Sequence, residues 1–310
     1  MSVAVVGTGS IGVAFALVFA RAGAEVRCWD PLPEAIGRAR ADLADKAATL
    51  HRHGLLDDPD AVLGLVTLTS DLSTATAGVE LVQECAPEDV ELKRDLFARL
   101  GELTGPDTVL ASSSSAISAS RIGHDLPAAD RILVGHPGNP PYLLPVVEVV
   151  PSPLTRPDVV ERASATYADA GLHPVRLRRE VEGFLFNRLQ GAVLREAYCL
   201  VRDGVASVAD IDAVMRLGLG RRWGVVGPFE TVDLNTRGGI GVHAGRMGPA
   251  YARMGAERGQ DDPWTEELVA EVVRQRREAM PLEEWEQRVR WRDERLMDLI
   301  ADEGGSAPSA

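Results

Sequence analysis

The stretch VAVVGTGSIG, residues 3–12, limits the folds open to this chain more than any other. Four apolar residues without a charge read as a buried strand. Gly7, Gly9 and Gly12 follow as GxGxxG at the head of an apolar helical stretch, VAFALVFARAG. At such a junction the first glycine makes the tight turn, the second lets an anion approach the backbone, and the third lets helix and strand pack closely. The positive end of the helix then faces a phosphate. A second strand, EVRCWD, ends at Asp30, 18 residues past Gly12, where a carboxylate can accept hydrogen bonds from ribose hydroxyls. Glycines at a turn also serve packing alone, but strand, helix and acid occur together here, and the combination predicts a Rossmann-type dinucleotide-binding unit. Asp30 would repel a 2′-phosphate, and Pro31, Leu32 and Pro33 supply no arginine to receive one, so the expected cofactor is NAD rather than NADP.

The alternation of short apolar runs with helical segments continues to residue 150. Strands are expected at 66–69, 79–86, 108–114, 131–136 and 146–150, and helices from Glu34 to about His53 and from Pro87 to just before Gly105. Beyond Pro151 a helix near 157–170 and a short strand, PVRLR, lead to Gly183, after which the pattern is almost entirely helical. The helical stretches are FLFNRLQGAVLREAYCLVRDG, then SVADIDAVMRLGLG, then two amphipathic segments at about 263–280 and 282–302 before a polar tail. The expected architecture is α/β: a Rossmann-type NAD-binding domain over 1–182 and an all-helical domain over 183–310, to which the resemblance described below gives the substrate and dimerisation roles.

Composition narrows the function classes. A chain of 310 residues with 45% apolar and 25% charged residues supports two ordinary cores. A net charge of −13 would repel a phosphate backbone, so small molecules rather than nucleic acid are the expected partners. Cys28, Cys85 and Cys199 are widely spaced and unpaired with histidines, which argues against a disulfide framework and against a zinc site. No run is long enough to cross a bilayer and the chain enters its first strand directly, so a cytoplasmic protein without membrane association is expected.

One charge in the sequence demands an explanation. In VGHPGNPPYLLPVVEVV, residues 134–150, Glu148 stands inside an apolar run, 12 residues after His136. An unpaired carboxylate there costs several kcal/mol to bury. If the proline-rich turn folds the chain back on itself, the strands become neighbours and Glu148 reaches the imidazole. The carboxylate then fixes the ring tautomer and stabilises the imidazolium, the arrangement of a general base for alcohol oxidation.

Together, GxGxxG, the serine run ASSSSAIS, the GHPxNPP stretch with its later glutamate, and GFLFNRL opening a helical domain resemble the L-3-hydroxyacyl-CoA dehydrogenase superfamily. Within it the likeness is to the λ-crystallin branch, whose members include L-gulonate 3-dehydrogenase. The resemblance spans residue 2 to about 240. It implies His136 as catalytic base and Glu148 as its orienting partner. It also implies that Ser115 bonds the substrate oxygen, that Asn187 places the reacting group, and that Glu88 and Lys93, in PEDVELK, lie near the cofactor. Each has a structural alternative: Ser113 to Ser115 can line a loop, Asn187 can cap its helix, and Glu88 can answer a helix dipole. Which serine of the run meets the substrate is open by one position. Of the 33 Lys and Arg residues only Lys46 and Lys93 are lysine, which singles out Lys93 independently. In the family the helical domain also forms a homodimer interface, and its several apolar faces lead to the same expectation.

The substrate class turns on GLGRRWG, residues 218–224, where the λ-crystallin branch has Gly-Leu-Gly-x-Arg and the acyl-CoA enzymes are expected to lack the arginine. Arg222 matches that position, just after a predicted helix, with Arg221 its solvent-facing neighbour. A guanidinium holds a free carboxylate bidentately, and a thioester offers none. The alternative is an arginine serving the preceding helix's carbonyls. The expected activity is therefore oxidation of the 3-hydroxyl of a free hydroxy acid, L-gulonate or a similar compound, to the 3-oxo acid. A 3-hydroxyacyl-CoA dehydrogenase using the same dyad, and a non-catalytic NADH-binding or crystallin-like structural protein, are the competing readings. Thr236 and Arg237, in LNTRGG, are further polar candidates near a substrate.

Overall fold

The computed structural model describes residues 1–224, 227–235, 239–259 and, beyond these, separate positions between 267 and 301. Thr236, Arg237 and most of the two expected terminal helices lie outside the described residues. The chain forms two compact units, Met1–Arg188 with Arg290–Ala310, and Leu189–Val289.

The first unit is built on an eight-stranded sheet. Its strands are β1 (Ser2–Val6), β2 (Glu25–Trp29), β3 (Val66–Thr69), β4 (Leu81–Glu84), β5 (Val109–Ser112), β6 (Ile132–Pro137), β7 (Val146–Pro151) and β8 (His173–Arg176). They lie in the order β3-β2-β1-β4-β5-β6-β7-β8. All neighbours are parallel except β6 and β7. The connecting helices are α1 (Ser10–Arg21), α2 (Pro33–Arg52), α3 (Pro59–Gly64), α4 (Leu72–Thr76), α5 (Val90–Leu103), α6 (Ala119–Ile122) and α7 (Pro157–Asp169).

Parallel strands covered on both faces read as continuous apolar runs, and Val3 to Val6 of β1 are fully buried. Helix α1 has no polar face because it has no solvent face: Val13 to Ala20 are all buried, and Phe15 and Phe19 pack on Tyr167 of α7. Helix α2 buries only Ala35, Ala39, Leu43, Ala47 and Leu50, a stripe at helical spacing. Helix α5 begins at Val90 rather than at Pro87, because Asp89 is the residue whose side chain accepts the Leu92 N–H.

The second unit contains α8 (Phe186–Arg202) beyond its first turn, α9 (Val208–Val214), α10 (Gly220–Trp223), α11 (Pro228–Leu234) and α12 (Gly239–Arg258). A π-helical segment, Met215–Leu219, joins α9 to α10 without a break. Arg222 therefore stands within a helix and not just after one, as its sequence position suggested.

The units divide inside α8, six residues after the boundary read from Gly183, because the first turn of that helix is bonded to the sheet. The first unit also takes in described residues beyond Arg290. Met297 is buried in the first unit's core, and Asp298 lies 2.9 Å from His53 at the end of α2. No helix among the described residues is long and apolar enough to cross a membrane.

Candidate active site

The glycine loop forms a cradle for a dinucleotide. Gly7 has φ +101°, and a Cβ there would lie 2.7 Å from the Cys85 carbonyl oxygen. At Gly12 a Cβ would sit 1.9 Å from the Gly7 oxygen, so α1 can approach the turn only without a side chain. Gly9 faces open space, and no side chain caps the first turn of α1, which leaves its N–H groups for an anion. A cavity of about 1070 Å³ opens here, bounded by the loop, Asp30, Ala86 and Pro87. Asp30 is braced against the loop: Oδ2 accepts the Thr8 N–H at 3.0 Å and the Thr8 hydroxyl at 2.9 Å, while Oδ1 accepts the Leu32 N–H at 3.1 Å. These features fit a dinucleotide by shape and by charge. Arg38 of α2 and Arg99 of α5 line the same cavity, two cations that the residues adjacent to Asp30 did not reveal.

Beyond Pro87 lies a buried cluster of charge. The Lys93 ammonium, with no exposed surface, donates to Glu84 Oε1 at 2.7 Å and to the Ala86 carbonyl at 3.2 Å, and stands 3.6 Å from Glu88 Oε2. Lys93 therefore presents no surface to the cavity, and neither it nor Glu88 lines it. Glu84 also accepts the Ala86 N–H at 2.6 Å and the Ser112 hydroxyl at 2.5 Å. Burial pushes its carboxyl above the usual carboxylate range, against the pull of Lys93 and Ser112. Burial acts upward on Glu88 too, but bonds from Ser114, the Lys93 charge and two backbone N–H groups hold it below its ordinary value. Those bonds converge on Glu88 Oε1: the Ser114 hydroxyl at 2.5 Å and the N–H groups of Ser115 and Ala116 at 3.0 Å.

This network separates the serines. Ser112 and Ser114 are buried and committed to carboxylates. Ser115 is exposed; its carbonyl accepts Asn187 Nδ2 at 3.1 Å, and its hydroxyl makes no bond among the described residues.

His136 and Glu148 are directly opposed in the antiparallel β6–β7 pair, which puts their side chains on one face. His136 Nδ1 lies 2.7 Å from Glu148 Oε2, and both residues are buried. Glu148 Oε1 accepts the N–H groups of Leu185 at 2.6 Å and Phe186 at 3.0 Å, at the start of α8. Two successive left-handed residues, Gly183 at φ +76° and Phe184 at φ +49°, aim that backbone at the carboxylate. The Phe184 ring then packs on the imidazole, with centroids 5.6 Å apart. Because the carboxylate only accepts, Nδ1 carries the hydrogen and Nε2 is the nitrogen left to accept a proton. In the second unit Arg221 and Arg222 are both exposed, and neither has a partner among the described residues.

Sequence reasoning missed Glu84, Thr8 and the Leu185 and Phe186 N–H groups. Glu84 had a weaker signal than Glu148, since it ends the strand LVQE beside Gln83 rather than standing within an apolar run. The backbone donors had none, because they depend on how residues 183–186 turn.

The fold and its glycine loop thus define an NAD-binding unit joined to a helical unit. Residues 2–181 match the family model of the 3-hydroxyacyl-CoA dehydrogenase NAD binding domain, and residues 183–280 match that of the 3-hydroxyacyl-CoA dehydrogenase C-terminal domain. The chain belongs to the 3-hydroxyacyl-CoA dehydrogenase family, whose members are NAD-dependent oxidoreductases acting on CH–OH groups. It is 44% identical over 239 residues to a lambda-crystallin homolog of Bos taurus, covering 76% of this chain and 74% of that one. It is 42% identical over 264 residues to an L-carnitine dehydrogenase of Streptomyces griseus, covering 85% and 76%. Among solved structures, 5-formyl-3-hydroxy-2-methylpyridine 4-carboxylic acid 5-dehydrogenase, an NAD+-dependent dismutase, matches with a TM-score of 0.76 and 30% identity over 86% of this chain and 83% of that one.

Proposed function

We propose that this protein oxidises the 3-hydroxyl of a free hydroxy acid, L-gulonate or another 3-hydroxycarboxylic acid, to the 3-oxo acid, with His136 as general base. The observation that carries the reading is Glu148, which holds Nδ1–H of His136 with one oxygen and the start of α8 with the other. His136 Nε2 accepts the hydroxyl proton and Glu148 stabilises the imidazolium that forms. The unbonded hydroxyl of Ser115 holds the substrate oxygen. Asn187, steadied by the Ser115 carbonyl, orients the reacting group. NAD, when bound, supplies the hydride acceptor for C3. Gly7, Gly9, Gly12 and Asp30 hold it, with Glu88 beside it and Lys93 behind Glu88.

The free-acid reading rests on Arg222, whose exposed guanidinium has no partner among the described residues and is assigned to the substrate carboxylate. Two relatives support it by name: L-carnitine is itself a 3-hydroxy carboxylate, and the solved dehydrogenase acts on a carboxylic acid. The family models favour a second reading, a 3-hydroxyacyl-CoA thioester. Arg222→Ala separates the two: it should abolish turnover of free acids, and thioester turnover that survives it would favour the second reading. A crystallin-like structural role, suggested by the other relative's name, would need no dyad. Tight NADH binding with no turnover of any hydroxy acid would revive it.

A homodimer through the helical unit belongs to the same proposal. Leu189, Val214, Leu217 and Phe229 are each at least 60% exposed there, apolar surface that a second copy would cover. We place the protein in the cytoplasm, a reducing compartment in which cysteine thiols persist.

A further inference from the structure

The buried carboxylate Glu84 has no part in the reaction just described, yet it accepts three bonds in the first unit's interior. All three of its contacts are donors: the Lys93 ammonium, the Ala86 N–H and the Ser112 hydroxyl. The ammonium and the N–H, both on Oε1, can only donate, and the Ser112 hydroxyl donates to Oε2, so all three contacts favour the carboxylate against the upward push of burial. Lys93 is thus one cation between two carboxylates, and its distances, 2.7 Å to Glu84 and 3.6 Å to Glu88, assign its charge mainly to Glu84. Glu88 is compensated only in part by the same ammonium. The cluster carries a net charge of minus one, and its outer member, Glu88, is 40% exposed.

That charge stands next to the cofactor cavity. Ala86 and Pro87 line the cavity, Glu88 is the next residue, and Glu88 accepts the Ser115 N–H while the Ser115 carbonyl accepts Asn187 Nδ2. On the proposed reading, in which Ser115 and Asn187 meet the substrate, a nicotinamide reaching from the cavity to them lies beside Glu88. The nicotinamide ring is cationic when oxidised and neutral when reduced, so a fixed negative charge in a partly buried setting discriminates between the two forms.

We propose that Glu84 is a positioning residue for charge: by holding Lys93 it keeps the negative charge of Glu88 from being fully paired beside the nicotinamide end of the site, and so favours binding of oxidised over reduced cofactor. This rests on the reading that hydride transfer occurs at His136, but not on the identity of the substrate.

The test is calorimetric titration of the full-length protein with NAD+ and with NADH at fixed ionic strength, without substrate. Contacts common to both forms cancel in the ratio of the two dissociation constants. In Glu84→Gln the ammonium turns to Glu88 and the cluster becomes neutral, so Kd for NAD+ relative to NADH should rise roughly tenfold, about 1.4 kcal/mol. In the double variant Glu84→Gln, Lys93→Gln the charge of minus one returns on Glu88 alone, and the ratio should fall back to within about threefold of the parent. A purely structural role for Glu84 predicts no such recovery. An unchanged ratio in the single variant, or a double variant no nearer the parent, overturns the proposal. Should Glu84→Gln fail to fold, Glu88→Gln neutralises the cluster at an exposed position and must raise the ratio by a similar factor; an unchanged ratio there is equally fatal. Failure of every tested substrate would contradict the proposed reaction while leaving this ratio as predicted.

Discussion

Replacing Glu148 by glutamine changes one atom and should all but stop turnover. The amide can keep its place in only one orientation. Its oxygen must face the N–H groups of Leu185 and Phe186, now 2.6 and 3.0 Å from Oε1, since turning the NH2 group toward them would set donor against donor. The NH2 group then faces His136 Nδ1, 2.7 Å from the atom it replaces. Nδ1 must accept, so the ring hydrogen moves to Nε2, and the nitrogen that should take the hydroxyl proton is already protonated. General-base catalysis is worth roughly 10²- to 10⁴-fold, and the wrong tautomer also forfeits the charge that stabilised the imidazolium. The expected loss in kcat is roughly 10³- to 10⁴-fold, about 4 to 5.5 kcal/mol. Stability should change far less, because weaker hydrogen bonds are offset by no longer burying a charge. The assay is NADH formation at saturating NAD, with NADH affinity measured alongside to show an intact fold. A variant that keeps more than about a tenth of the parent kcat, or loses NADH binding in parallel, would refute the reasoning.

Gly135→Ala should lower stability by about 3 kcal/mol or more, since a Cβ there would lie 2.0 Å from the Tyr167 hydroxyl and displace it from Gln83; an unshifted urea midpoint would contradict this. Asp30→Ala removes the acceptor of two Thr8 bonds and of the ribose hydroxyls, so NAD should bind roughly tenfold to hundredfold more weakly and the preference over NADP should shrink. An unchanged preference measured by titration would remove Asp30 from that role. Glu88 is held below its ordinary value in the folded protein. The unfolded chain therefore binds a proton first as pH falls, and the stability Glu88 contributes is complete above about pH 4.5 and lost as pH drops through the lowered folded value. Urea midpoints between about pH 3 and 6 should fall less steeply on the acid side in Glu88→Gln than in the parent, and identical slopes would count against the network.

How much of this is legible in the sequence depends on how far each contact reaches along the chain. The glycine loop, β1, α1 and Asp30 are readable because one local unit sets their spacing. The approach of Glu148 to His136 is readable because a charge in an apolar strand needs a partner, and a proline-rich turn offers one across a hairpin. The serine run shows the limit: only the packing of Ser112 and Ser114 against Glu84 and Glu88 reveals that Ser115 is the exposed one. Arg38 and Arg99 reach the cofactor cavity from two different helices, and no local pattern announces that. The start of α5 was misplaced because Pro87 and Asp89 are both good helix openers and the bond to Leu92 decides between them. The two family models divide at the boundary read from Gly183, while the compact units divide six residues later, since Glu148 ties the first turn of α8 to the sheet by backbone bonds that no side-chain pattern encodes.

The most direct test of the account is NADH formation by the purified protein with excess NAD, comparing L-gulonate and 3-hydroxybutyrate with 3-hydroxybutyryl-CoA, and His136→Ala as control. The account predicts turnover of the free acids that disappears in the control and is absent with the thioester. Turnover confined to the thioester would keep the dyad and overturn the assignment of Arg222, while turnover that persists in His136→Ala would contradict the central claim itself.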